Sequence, residues 1–481
     1  MNAGGNGRSP FATELTNFQP RVGAAYRVRN DIVMRGGWGI FFIPQYSQAT
    51  SNGFSQVTPY VGTLNSGETI NNPVSNPFPS GVILPTGAAA GLATMNGGAP
   101  SFSDPSGKIG NVQVFSFGLE KQLPARMTLD ASYAGGRANQ IPVQGLNINA
   151  LSAANLALGN SNLGGTSSYL TAQVPNPFQG LLPATSLNNA TISRQQSLLP
   201  FPEFTTVTEN DVPIGHYWYN ALQVNLQQRT WHDLDTTVAY TFGKTMDAIT
   251  FLNPQDAFVK TATSQTGVST PTASQFADAK LTSPAHDFAP YDRKHRIDIA
   301  PVYELPLGRN KMFLANANRV VNVLVSGWQG AGHIIWQTGA PMTAPTGVAL
   351  TGNPNVPNKS WSQMFNSGVT QLNGTITTPV SGLAPAWTVL PPNALRTVPL
   401  HLGQVRDRWG TETNINISKN NYIHENMNLQ LRVELLNAFN HPVWGGDPNV
   451  TYSSPLFGQL NRASGTSNVA RAIQCAARFV F

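Results

Sequence analysis

The chain has 481 residues, of which 11% are charged, and a formal net charge of +6 at pH 7. No run approaches the ~20 consecutive apolar residues of a transmembrane helix, so helical membrane spans are excluded. The 44 Gly and 36 Pro argue against a helical bundle, and the 23 Phe, 12 Tyr and 9 Trp against simple disorder. Lys and Arg are spread along the chain without the clustered stripe that would indicate a nucleic acid partner. An all-β protein that does not bind nucleic acid is therefore predicted.

Eleven segments alternate with a period of two, as β-strands with one apolar and one polar face do. In the clearest segment, Leu431 and Val433 share one face. Arg432 and Glu434 share the other. We predict strands at residues 21–29, 32–43, 112–122, 127–138, 218–229, 234–246, 294–304, 324–338, 411–419, 427–439 and 470–481.

The connections between these strands alternate between short and long. Short ones fall near residues 30, 124–126, 230–233, 306–323 and 420–426, and long ones at residues 44–111, 139–217, 247–293, 339–410 and 440–469. Outer-membrane barrels have short periplasmic turns and long extracellular loops, whereas a soluble sandwich has no reason to sort its loops in this way. The predicted fold is a transmembrane antiparallel β-barrel in a Gram-negative outer membrane.

The two ends of the chain lead to separate expectations. Residues 1–20 contain no basic segment followed by an apolar one, so we expect no secretory signal there. Because an outer-membrane protein must cross the inner membrane, either the chain is part of a longer precursor that carries the signal upstream, or the membrane interpretation is wrong. The last strand ends on Phe479 and Phe481, which share a face. An extended strand with aromatic anchors suits recognition by β-augmentation, so we predict that these residues are the signal for the outer-membrane assembly machinery. The alternative is that Phe481 only packs against lipid.

The strand positions predicted to lie on the polar face include both positively and negatively charged residues. The residues predicted to face the barrel lumen include Arg296, Asp298, Arg432, Glu434 and Arg478. A polar lumen around a plug explains them without a substrate, and the alternative is a charged path that guides a ligand.

No catalytic, metal or cofactor site is predicted. Adjacent residues of a strand point to opposite faces, so the segment 292–296, with Asp292 and His295, cannot place an acid and a base together. We expect it to fix the outer end of a strand by hydrogen bonds. The eight His show no zinc-type spacing, and the single Cys475 is expected to be a small apolar residue.

Seven segments together resemble the TonB-dependent receptors of the Oar-like type that are abundant in Acidobacteria. They are NFQPRVGAAYRVRNDIVMRGGWGIFF (17–42), VFSFGLEKQLPARMTLDASYAGGR (114–137) and LQLRVELLNAFNHPVWG (429–445), with residues 219–247, 292–311, 327–343 and 471–481. The resemblance implies a 22-stranded barrel preceded by a plug domain and a TonB box. This chain then corresponds to about 11 of those strands, with residues 1–20 as an extracellular-loop remnant and residues 21–481 as the partial barrel.

Three functional classes follow from these observations. The resemblance implies a transporter for a large nutrient such as a glycan, peptide or chelate, which is inactive alone because TonB acts through a plug that the chain lacks. The long Gly-, Ser-, Thr- and Asn-rich loops suggest a structural or adhesive surface barrel as the alternative. An enzyme is third, because no pairing of nucleophile and base supports it. Outer-membrane lipid is an expected partner of the transporter and of the surface barrel alike.

Overall fold

The computed structural model describes most of the chain. The described residues are 11–44, 53–55, 57–58, 60–79, 81–87, 89–160, 169–182, 185–257, 284–424, 427–443, 447–460 and 470–481. Residues 1–10, which belong to the expected loop remnant, lie outside these ranges, as do parts of the third and fifth long connections. In the part of the chain that the structure describes, no helix has the length and apolar character needed to cross a bilayer.

Eleven antiparallel strands form one sheet in which each strand pairs with the next along the chain, and a twelfth strand of two residues, Asp287–Phe288, pairs with the loop end of the sixth. This confirms the predicted all-β antiparallel fold. In the described residues the first strand pairs only with the second and the last only with the tenth, so the sheet is open, as part of a barrel is. The strands are β1 (Arg21–Arg29), β2 (Ile32–Phe42), β3 (Asn111–Leu123), β4 (Met127–Val143), β5 (Val212–Trp231), β6 (Leu234–Ala248), β7 (His295–Glu304), β8 (Trp328–Gln337), β9 (Gly410–His424), β10 (Met427–Leu436) and β11 (Ala472–Val480).

The predicted start of the eighth strand is wrong. Residues Arg319–Val325 form a helix, and β8 begins only at Trp328. The apolar run RVVNVLV fits either element by periodicity, but Asn318 caps the helix, since its side chain accepts a hydrogen bond from the Val321 N–H at 2.9 Å. Gly327, with φ +73°, then turns the chain into the strand. The connection at residues 305–327 is therefore a folded segment and not a tight turn.

The pairing register gives the sheet two chemically different faces, because directly opposed residues of an antiparallel pair project to the same side. One row crosses β1 to β9 on what we call the polar face: Arg27, Val33, Glu120, Asp130, Asn225, Ala239, Asp298, Ile335 and Glu412. The neighbouring row lies on the apolar face: Tyr26, Met34, Leu119, Ala131, Val224, Tyr240, Ile297, Trp336 and Thr411.

The apolar face is exposed along its whole width. Phe117, Phe242, Trp336, Leu431 and Ile473 are all large exposed side chains on this face. Monomeric soluble proteins rarely expose a contiguous apolar surface of this size. Bilayer hydrocarbon is the environment that such a face needs, whereas the opposite face requires water or polar protein.

All five long connections leave the same end of the sheet and fold into what we call the loop cap: the described parts of residues 43–110, 144–211, 249–294, 338–409 and 437–471. Its strands are Thr63–Leu64, Thr69–Ile70, Ser101–Ser103, Leu146–Asn147, Gln173–Pro175, Thr191–Ser193, Thr208–Asn210, Asp287–Phe288, Pro341–Thr343, Val348–Leu350, Val369–Thr370, Ile376–Thr377, Trp387–Val389 and His401–Arg406. Its helices are Ala153–Asn160 and Arg194–Ser197, with 3-10 turns at Asn65–Gly67, Gly91–Ala93, Ser186–Asn188 and Pro254–Ala257.

The buried hydrophobic clusters lie at the loop end of the molecule. The largest packs Phe365, Trp387 and Phe457 edge to face, with ring centroids 5.0 to 6.4 Å apart, and joins the fourth and fifth long connections. Such aromatic pairs stabilise a core beyond their buried area. The Trp387 indole N–H donates to the Asn366 carbonyl oxygen at 2.7 Å. The long connections are therefore folded units.

Candidate functional site

The polar face carries the five predicted lumen residues together. Arg296 lies opposite Thr241 and Gln337, and Asp298 lies opposite Ala239 and Ile335. Across β10 and β11, Arg432 opposes Ala476, Glu434 opposes Gln474, and Arg478 opposes Gln430. Because the register links these positions through the intervening strands, all five residues project from one side of the sheet.

Most charges of this face are paired with an opposite charge nearby. The Arg296 Nε lies 2.8 Å from Asp298 Oδ2, and His333 Nε2 lies 3.5 Å from Asp298 Oδ1. The Arg432 Nε lies 3.1 Å from Glu434 Oε1. Both arginines reach the residue two positions along the same strand, which an alternating strand places on the same face. The pairs are partly exposed, so each contributes only about 0–1 kcal/mol.

A three-membered cluster links β2, β3 and β4 on the same face. The Arg35 guanidinium donates to Glu120 and also to Asp130, the latter at 2.6 Å. Glu120 and Asp130 are directly opposed across the β3–β4 ladder. One arginine therefore offsets the repulsion between two directly opposed carboxylates. In contrast, Arg478 has no ion pair within the described residues, and it is a free cation on this face.

A buried ion pair anchors the loop cap to the sheet. Asp292 is 1% exposed, and its carboxylate accepts hydrogen bonds from the Thr245 backbone N–H and from Arg406 Nη2, both at 2.6 Å. Arg406 also donates to the Gly339 carbonyl oxygen at 3.4 Å. The pair thus joins the third and fourth long connections to the end of β6. This is the structural role expected for the segment 292–296.

A second acid of the third long connection makes a parallel link. The buried Asp287 carboxylate accepts the His401 backbone N–H at 2.8 Å and lies 3.4 Å from His401 Nδ1. His286, also upstream of the segment, packs against Trp218 with the ring centroids 4.6 Å apart and the ring planes tilted by 32°. These contacts account for the acid and imidazole groups here as parts of the packing.

The long connections also contact one another through hydrogen bonds. Thr208–Asn210 pairs with Ser101–Ser103, so the first and second connections share a small sheet. The Asn253 amide bridges to the backbone of Arg396, and the Thr343 hydroxyl donates to Asp447 Oδ2 at 2.6 Å. The Gln255 side-chain amide donates to the Leu151 carbonyl oxygen at 2.8 Å and joins the third connection to the second, so the cap is continuous from the first long connection to the fifth.

Two acids of the cap are held in low-polarity surroundings. Burial, and then the nearby Asp104, raise the pKa of Glu209 to about 7. Burial, and then Asp447, raise the pKa of Asp407 to about 6, although Arg293 and Lys359 oppose that change. Both carboxyl groups therefore change charge near neutral pH.

We expect the Glu209 strand to loosen as the pH rises. Its pKa is higher in the folded chain than its ordinary value of 4.5, so its contribution to stability is fully present below that value and is lost as the pH passes through about 7. Hydrogen exchange of residues 208–210 should be faster at pH 8 than at pH 6, after correction for intrinsic exchange. The Glu209→Gln variant should lose this pH dependence; a variant that keeps it would show that another group titrates.

The described residues contain no group of three or more His, Cys, Asp or Glu side chains placed to hold a metal ion. Cys475 is exposed and lies opposite Val433 on the apolar face.

The final strand, β11, is at the edge of the sheet, and its alternate apolar residues lie on the apolar face. Ile473 lies opposite Leu435, and Phe479 lies opposite Leu429. The Phe479 and Phe481 rings stack with centroids 6.0 Å apart, and Phe481 is 92% exposed. The two residues predicted as the assembly signal are therefore adjacent and accessible.

A two-faced antiparallel sheet with its long connections at one end defines an outer-membrane β-barrel protein. The family model for the outer membrane beta barrel domain matches residues 1–474. The chain belongs to this family, and its location is the outer membrane. Among curated proteins none matches the chain significantly.

Solved structures with a similar arrangement include three outer-membrane proteins. They are the outer membrane transporter YddB from Escherichia coli (9% identity, TM-score 0.38, 94% of this chain and 38% of that one), the siderophore receptor PirA from Acinetobacter baumannii (9%, 0.38, 97% and 41%) and the FrpB iron transporter from Neisseria meningitidis (8%, 0.37, 96% and 39%). The chain thus spans about two fifths of their length. At these TM-scores the likeness assigns no function, and the membership rests on the family model.

Proposed function

We propose that the chain forms the carboxy-terminal barrel strands of a TonB-dependent outer-membrane transporter for a large nutrient, such as a glycan, peptide or chelate. The observation that carries the proposal is the combination of a charged polar face with a folded cap over one end of the sheet. A polar face bounded by an apolar one suits a wet lumen inside a bilayer. A continuous cap built from five connections suits selection of a ligand at its outer entrance.

In this proposal Arg296, Asp298, Arg432, Glu434 and Arg478 line the lumen. The pairs Arg296–Asp298 and Arg432–Glu434 leave Arg478 as the one unbalanced charge among these five residues, and such a polar surface suits contact with a plug domain through hydrogen bonds. Residues 21–481 form the barrel portion, and residues 1–20 are the end of an extracellular loop. TonB would act through the plug of the complete receptor, and the chain itself would catalyse no reaction.

Deletion of the complete locus tests the transport proposal. We expect the mutant to lose growth on a large nutrient that the wild type uses, and to lose energy-dependent accumulation of the radiolabelled compound. Restoration should require both the wild-type locus and a functional TonB. Unchanged uptake across glycans, peptides and chelates, together with loss of attachment to surfaces, would favour the structural or adhesive alternative.

We also propose that Phe479 and Phe481 form the signal for the barrel assembly machinery. An exposed strand edge with two stacked aromatic side chains suits recognition by strand addition. Deletion of Phe481 in the complete receptor should lower its assembled outer-membrane level, measured by protease cleavage of the long loops on intact cells. Synthesis and export should not change. The matched control is Phe439→Ala, which removes an exposed phenyl ring at the loop end of β10, at the opposite end of the β10–β11 pair from Phe481. Normal assembly without Phe481 would leave only a packing role.

A further inference from the structure

An open groove of about 940 Å³ lies where the apolar face meets the loop cap. Tyr133, Leu222 and Phe242 line it, and they are opposed in register across β4, β5 and β6, so they form an apolar floor. Phe288 and Gly403 of the cap line the other side. The groove therefore has a membrane-facing floor and a wall made by the loops.

Two lysines at this groove have no acidic partner. Lys244 Nζ lies 5.0 Å from the centroid of the Phe288 ring, and Lys294 Nζ lies 5.9 Å from that of Phe242. Both side chains are exposed, and neither has a carboxylate oxygen within 4.0 Å in the described ranges. Arg406, which also lines the groove, is neutralised by Asp292. The uncompensated charge of the groove is therefore that of the two lysines.

The strand register gives the position of the groove relative to the bilayer. Trp336 and Trp409 contact each other with ring centroids 5.1 Å apart, and Trp336 lies in the same row as Ile297 and Tyr240. Aromatic rings of this kind favour the headgroup region of a bilayer. On the same face of β6, Phe242 is one step closer to the cap than Tyr240, and Lys244 is two steps closer. The lysines therefore lie at the level of lipid headgroups.

We propose that this groove binds a phosphorylated lipid of the outer leaflet. Its apolar part would extend from the floor at Leu222 and Phe242 along the apolar face toward the middle of the strands, and a headgroup phosphate would lie between Lys244 and Lys294. The exposed Gln404 amide also lines the groove and supplies a neutral hydrogen-bond donor. A free anion would gain nothing from the apolar floor, and an uncharged lipid would gain nothing from the lysines. The two features together select a lipid with a phosphate headgroup.

Gly403 allows the backbone in the wall of the groove to lie directly against the Phe288 ring. A Cβ atom at this position would lie 2.1 Å from the Phe288 ring, so only glycine permits the observed contact. A Gly403→Val change should displace Phe288, widen the groove and weaken lipid binding while both lysines remain.

The test measures binding of a defined lipid to the complete receptor, purified from outer membranes in a nonionic detergent. The probe is a bisphosphorylated, hexa-acylated lipid A, and native mass spectrometry gives the bound fraction. The Lys244→Gln/Lys294→Gln variant should bind about thirtyfold more weakly. The matched control is Lys121→Gln, because Lys121 lies on the same face opposite Ile32 and Leu129, at the other end of the sheet. That variant should bind as the wild type does.

Three results would overturn the proposal. The first is equal binding of fully dephosphorylated lipid A, and the second is displacement of the lipid by equimolar inorganic phosphate, which would indicate a site for a free anion. The third is equal weakening by Lys121→Gln, which would show an effect of net charge alone. Unchanged heat-modifiable migration of each variant confirms that it is folded. The outcome does not depend on whether the protein transports a nutrient.

Discussion

Replacement of Leu431 or Val433 by arginine should destabilise the folded barrel by about 2–4 kcal/mol. Both residues lie in the middle of β10 on the apolar face, opposite Ala477 and Cys475 of β11. A guanidinium there must either enter hydrocarbon or distort the strand to reach water. Urea unfolding of the complete receptor in lipid vesicles, followed by heat-modifiable migration, measures the effect.

The matched control is Gln474→Arg, because Gln474 lies in β11 next to Cys475 but on the polar face. Gln474 lies opposite Glu434, so the new charge meets a carboxylate. Gln430 is a poorer control because it lies opposite Arg478. Similar destabilisation by Gln474→Arg and Val433→Arg would show that the assignment of the two faces is wrong.

The Asp292→Ala variant should destabilise the loop cap by about 3–5 kcal/mol, because removal of one partner leaves the Arg406 charge unpaired in a largely buried site. It also leaves the Thr245 backbone N–H without its acceptor. Hydrogen exchange of residues 401–406 should become much faster, whereas the middle of β10 should keep its protection, since the sheet does not depend on the cap for its pairing.

The control for this variant is Asp298→Asn on the polar face. The Arg296 and Asp298 side chains are partly exposed, so loss of that pair should cost less than about 1 kcal/mol. A small effect of Asp292→Ala, equal to that of Asp298→Asn, would show that water enters the Asp292 site and screens the pair.

The amino-acid sequence by itself determined the strands and their two faces. Side chains alternate from face to face within every strand, so the apolar parity of Leu431 and Val433 can be recognised without any knowledge of their neighbours. The order of short and long connections then placed all the loops at one end. The exception is the start of β8, where the predicted strand includes the last two residues of the helix Arg319–Val325. Alternation does not distinguish helix from strand in so short an apolar run, and the cap at Asn318 decided.

Only the tertiary structure decided which charges meet and how the long connections fold. Asp292 and Arg406 are 114 residues apart in the chain, and Arg35 is 95 residues from Asp130. The core around Trp387 and Phe457 likewise joins two separate connections through strands of two or three residues. Elements this short have no periodicity to read, and their conformation depends on packing between distant segments, which no local pattern of residues encodes.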